Sequence, residues 1–274
     1  MSSYVTPSER VADIDKTFRD DVNLCWLASA CSMIWSAGWA SAPKWATPTD
    51  LFSEVKTYFK DDGCNALHGA LWYLSGAFPR WGKLRSLFNS GGNYGAMNIK
   101  QASSLLYGLF PEQMSAFLSY RLSYDSINGV DLMGGFTMSM LFCPPRTLPQ
   151  TSSAIMGAHE VPLWGFGIDE PIPDGVFYDL PSFQPRWNKD LYGEHVSSVL
   201  ISDPDDEQYN HAFTLYAYYH PEAHCYLLRP DPDDSEVPSN WQGDRSIWMN
   251  TMTYLVRNPN AVFPSDGETE EPEE

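Results

Sequence analysis

Residues 134–143, Gly-Gly-Phe-Thr-Met-Ser-Met-Leu-Phe-Cys, divide the chain into two kinds of sequence. From residue 135 this stretch reads as a strand, and Pro144-Pro145 ends it. Beyond it lie five more short β-prone runs at 158–168, 196–202, 213–219, 225–229 and 246–256, separated by turn-forming residues. Residues 170–194 contain four prolines and read as a loop between two strands. Upstream the spacing is helical. Leu24, Leu27, Ala28, Cys31, Ile34 and Trp35 recur on one face, with Asp20, Asp21 and Asn23 placed to cap the helix. Thr47-Pro48 opens a second helix, residues 65–74 form a third, and two more follow Asn98 and Pro111. Helices first and antiparallel strands after predict an α+β fold, with a helical lobe over about 13–133 and a sheet lobe over about 134–264. A cleft between two such lobes is a natural substrate site.

The 274 residues suit one large domain, and 43% apolar content with 39 aromatic residues supports a sizeable core. The formal net charge is −18. Six acids and no base fall in 266–274, so 265–274 reads as a disordered acidic tail, and residues 1–12 as an N-terminal arm. The remaining charge is still −12. Nucleic acid is therefore excluded as a partner, since phosphate binding needs clustered Lys and Arg. No apolar run is long enough for a membrane span. The N-terminus carries no signal-peptide pattern.

Five cysteines, at 25, 31, 64, 143 and 225, form no CxxC pair. His220, His224 and Cys225 flank a turn and do not make a metal set, so neither metal nor cofactor is expected. Cys25 stands at a helix start, where unpaired amides and the helix dipole favour a thiolate, the form that attacks carbonyls. Cys31, deeper in the same helix, fits a packing role. A cysteine nucleophile needs a base, and the base needs an orienting acceptor. Of six histidines, His159 opens a strand and is well placed to be held rigidly, whereas His68 falls in a helix and His195 in a loop. Asp203 and Asp205 end the strand over 196–202 and can meet the second ring nitrogen of His159.

Three segments carry a family resemblance. Asp13-Ile-Asp-Lys-Thr-Phe-Arg-Asp-Asp-Val-Asn-Leu-Cys25 is similar to the stretch leading to the nucleophile in the IdeS-type immunoglobulin-degrading cysteine endopeptidases. His159-Glu-Val-Pro-Leu-Trp-Gly165 resembles their catalytic-histidine strand, and Ser202-Asp-Pro-Asp-Asp206 a strand-end pair of aspartates. The order Cys, His, Asp is the family's. The resemblance implies a papain-like fold over 13–264, secretion, and a protein substrate cut through a thioester. It implies Cys25 as nucleophile, His159 as base, Asp203 as its orienting acceptor and Asp205 in support. It also implies Lys16 as an oxyanion donor together with the Cys25 amide, which suits a cation placed where negative charge develops. Nine positions separate Lys16 from Cys25, one fewer than in the family, and Trp26 follows the cysteine where those members carry a small residue. The chemistry is thus carried further than immunoglobulin as the substrate. An acyltransferase, a deamidase or a catalytically silent binding protein are the alternatives on the same framework.

Overall fold

The computed structural model describes residues 3–5, 12, 14, 16, 21–40, 44–59, 63–76, 94, 96–128, 134–150, 152–177, 195–206, 211–235, 237–243 and 245–261. The acidic tail, most of the arm and the greater part of the proline-rich 170–194 segment lie outside them.

The helices form where local chemistry favours them. α1 (Cys25–Ser36) is buried from Trp26 to Ser36. α2 (Pro48–Val55) opens with proline in its first turn and a reciprocal capping box between Thr47 and Asp50. Asn65 caps α3 (Ala66–Ser75), and left-handed Gly76 ends it. Asn98 and Gln101 cap α4 (Ile99–Ser104) reciprocally, and α5 (Pro111–Asn128) again begins with proline. No helix among the described residues is long and apolar enough to cross a membrane.

One expected cap is absent. Leu24 is the N-cap of α1 and makes no side-chain cap bond. Asp21 instead turns inward, 3% exposed, to pair with Lys56 at 2.8 Å. A buried carboxylate gains more from a cation than from an amide, so Asp21 is held by Lys56.

The strands are β1 (Ser3–Val5), β2 (Leu106–Leu109), β3 (Gly135–Cys143), β4 (Gly157–Ile168), β5 (Val196–Ser202), β6 (Ala212–His220), β7 (Cys225–Pro230) and β8 (Ser246–Leu255). All pairings are antiparallel. The order β4-β3-β8-β7-β6-β5 returns to β4, so six strands close into a barrel, with β1 on β4 and β2 on β8 outside the ring.

This closure corrects the expected α+β, papain-like arrangement of two lobes. The twelve-residue β4 is the reason. Its first part, Gly157–Leu163, pairs with β3, and its second part, Leu163–Ile168, pairs with β5. Register shifts at Leu163/Gly165 and Gly167/Ile168 on β4, and at Ser139/Met140 between β3 and β8, bend the sheet until its edges meet. Closure leaves no long unpaired edge in the ring.

Alternate residues of the strands, such as Phe136, Met138 and Met140 on β3 and Phe213, Leu215 and Ala217 on β6, feed one core. α1, α2 and α3 build a second around Trp26, Ile34, Leu51 and Trp72. The two layers touch where α1 crosses β3 and β4. At Gly135 a Cβ would fall 2.1 Å from the Met33 carbonyl oxygen, so only glycine admits α1 this close. Ser29 donates at 2.8 Å to the Glu160 carbonyl, tying α1 to β4. Ser29 is one turn beyond Cys25, and Glu160 follows His159 directly.

Candidate active site

The tie between α1 and β4 brings Cys25 and His159 to opposite walls of a cleft of about 320 Å³, lined also by Asp203, Asp205, Glu160 and Trp241. Cys25 is the first residue of α1 and is partly exposed, and it stands near enough to His159 to act on the charge of the imidazole. His159 Nε2 meets Asp203 Oδ1 at 2.7 Å, which leaves Nδ1 as the nitrogen for Cys25. Asp203 follows the last residue of β5, as the strand-end reading placed it.

Burial disfavours a charged imidazole, but the hydrogen bonds and charges of Asp203 and Cys25 outweigh it and raise His159 to about 10. Burial likewise pushes the Asp203 carboxyl up. The bonds from His159, the Asp205 amide and Trp241 win and hold it below its ordinary value. His159 therefore carries its proton at neutral pH. Its raised value means the contact stabilises the fold fully below pH 6.5, and this is lost as pH rises through about 10. The depressed Asp203 contributes above 3.8 and fails as pH falls through its lower folded value.

Asp205 is 44% exposed, and its Oδ2 is 3.9 Å from His159 Nδ1, too long for a hydrogen bond. Its Oδ1 pairs instead with Lys16 Nζ at 2.5 Å. The same ammonium donates to the Asp21 carbonyl at 3.2 Å and the Val22 carbonyl at 3.0 Å, and the Lys16 amide donates to the Pro204 carbonyl at 2.7 Å. The Lys16 side chain is 3% exposed and is not among the residues that line the cleft. It clasps the turn entering α1 to the loop after β5, which carries Asp203. Cys25, His159, Asp203 and Asp205 thus share one cleft, whose lining does not include Lys16.

His159, Asp203 and Asp205 could bring ligand atoms within 4.8 Å of one another, as a metal would require. Their atoms already have partners: Asp203 takes His159 and Trp241, and Asp205 takes Lys16. An ion would have to displace an ammonium, and the donor set fits a proton-transfer site better than a metal centre.

Two residues join the site without any sequence pattern to announce them. Trp241 Nε1 donates at 2.6 Å to Asp203 Oδ2, the oxygen that His159 does not use. The indole is buried and packs within 6.2 Å of the His159 ring. Its one available clue was a large apolar side chain inside the polar turn Ser239-Asn-Trp-Gln-Gly243. Glu160 is buried beside His159 and accepts from the Ala66 amide at 2.9 Å and the Thr137 hydroxyl at 3.1 Å. Burial, opposed by those two bonds, raises its carboxyl to about 7. Glu160 thereby binds the start of α3 to β4, while its carbonyl holds α1.

The remaining histidines lie elsewhere. His68 is in α3 as expected, with Nδ1 3.9 Å from Cys64 Sγ. His220 and Cys225 face each other across the β6–β7 hairpin, and His224, at a positive φ of 52°, turns it while bonding Glu112 at 2.7 Å. No protein-family model matches the sequence, and a search of curated proteins gave no match.

Proposed function

We propose that this chain is a cysteine endopeptidase of the IdeS type, hydrolysing peptide bonds of a protein substrate through a thioester. The observation that carries the reading is the meeting of Cys25, His159 and Asp203 in one cleft, with the 2.7 Å bond to Asp203 fixing the imidazole. Cys25 Sγ adds to the scissile carbonyl carbon, and the carbonyl oxygen takes the negative charge. Cys25 stands at the N-terminal end of α1, where the helix dipole favours negative charge. His159 Nδ1 gives its proton to the leaving amine as the C–N bond breaks. It then takes a proton from water, whose oxygen attacks the thioester and releases Cys25.

Incubation with a mixture of folded proteins, followed by mass spectrometry of peptide termini, tests this reading. New termini at few sites are the expected result. A gain of about one dalton on glutamine without new termini would make the chain a deamidase on the same nucleophile. Neither change would make it a binding protein.

The resemblance gives Lys16 the oxyanion. Its three ammonium protons are already placed on Asp205, Asp21 and Val22, so direct donation requires releasing one acceptor. Lys16→Ala is expected to lower kcat about 10²-fold, the scale both for one lost oxyanion donor and for a displacement of about 1 Å. Asp205→Ala separates the two roles. It frees the ammonium, so a direct donor keeps its rate or gains, whereas a clasp loses part of it. Steady-state kcat for both variants decides between them.

A further inference from the structure

A second cavity, of about 330 Å³, adjoins the catalytic cleft, and Trp241 and Arg245 line both. A substrate segment passing from one to the other must cross Arg245. Its guanidinium lies over the Phe142 ring, 4.3 Å from the centroid, and donates to the Asn240 carbonyl. Its Nε is enclosed and has no hydrogen-bond partner. Among the described residues no carboxylate lies within ion-pair distance of it.

The other cations at the cleft are engaged: Lys16 with Asp205, and His159 with Asp203. Stacking on Phe142 fixes the plane of the guanidinium and leaves its edge as the donor surface. A planar fork of N–H donors matches a carboxylate in two-point contact.

We propose that Arg245 is the specificity residue of the cleft and takes a carboxylate of the substrate, an Asp or Glu side chain close to the scissile bond. The word substrate rests on the peptidase reading, whereas the anion site does not.

The test compares alkylation of Cys25 by anionic iodoacetate and neutral iodoacetamide in the full chain, read by peptide mass mapping. The proteins are wild type, Arg245→Gln and Arg245→Lys. Iodoacetamide is the reference for the state of Cys25, and the His159 charge is common to all three. The iodoacetate-to-iodoacetamide rate ratio is expected to fall roughly threefold in Arg245→Gln, the scale of a partly exposed charge interaction, and less in Arg245→Lys. An unchanged ratio overturns the proposal. So does a fall in both rates together, which would mean that Arg245 shapes the Cys25 environment and does not attract anions. The second arm maps cleavage sites in a protein mixture. Acidic residues should be enriched at one position beside the cut and lose that enrichment in Arg245→Gln. Cleavage with no acidic preference overturns the assignment of the carboxylate to the substrate. A responsive alkylation ratio with no cleavage by wild type upholds the anion site and removes the peptidase reading instead.

Discussion

Replacing Cys25 with alanine is expected to abolish peptide-bond hydrolysis, a loss of about 10⁶-fold in kcat, the scale seen when a nucleophile that acts as part of a unit is removed. The fold should survive. Cys25 is partly exposed at the first position of α1, while the residues from Trp26 onward supply the buried face of that helix. Alanine is also the better helix former, by a few tenths of a kcal/mol. A melting curve matching the wild type, together with absent activity, is the outcome sought. Alkylation adds a second measure, because the competing thiols are placed unfavourably. Cys31 and Cys143 are fully buried and pushed up by that burial, and burial takes Cys225 to about 11. Cys64 is the one rival, since it is partly exposed and lines the same cleft. Its Sγ is 3.9 Å from His68 Nδ1, and burial lowers the basicity of that ring. Retained activity in Cys25→Ala, with loss in Cys64→Ala, would move the nucleophile to that pair.

What could be read from sequence divides along a physical line. Each ring strand shows itself through its own apolar residues and the turns around it, and five helices show themselves through spacing, prolines and caps at Thr47, Asn65 and Asn98. Barrel closure does not, because it depends on β4 and β5 pairing across a connection of nearly thirty residues and on bulges that alter register without altering composition. β1 and β2 have three and four residues, too few to display alternation. In the candidate site, Cys25, His159 and Asp203 stand at element ends that the strand and helix patterns locate. Trp241 and Arg245 come from the turn before β8, where no periodicity operates, and they reach the site only because the closed barrel carries that turn back over Asp203. The pairing of Asp21, which stands where a cap is expected, is hidden for the same reason: Lys56, its partner, is 35 residues away.

His159→Ala should cost nearly as much as the loss of the nucleophile, about 10⁶-fold in kcat, because without the imidazole neither the leaving amine nor the attacking water has a proton partner. Asp203→Asn should cost less, about 10⁴-fold, since the carboxylate fixes the ring and its charge but moves no proton itself. Asp205→Ala should be milder again, as its nearest oxygen stands 3.9 Å from the ring. If Asp205 proved the more damaging of the two, the orienting role would pass to it. The pH profile separates these roles from simple unfolding. In wild type, activity should fall on the alkaline side as His159 loses its proton, with an apparent value near 10. Removing the Asp203 charge takes away a main support of that raised value, so in Asp203→Asn the alkaline limb should move towards 6.5, the ordinary imidazole value. Trp241→Phe keeps the aromatic wall but removes the 2.6 Å bond to Asp203 Oδ2. It should lower kcat roughly tenfold, the scale of one hydrogen bond to a charged group, while leaving the Asp203 charge and hence the alkaline limb near its wild-type position. A limb that stays at pH 10 in Asp203→Asn would mean that some other group holds the proton on His159, and the line from Cys25 through His159 to Asp203 would no longer describe the chemistry.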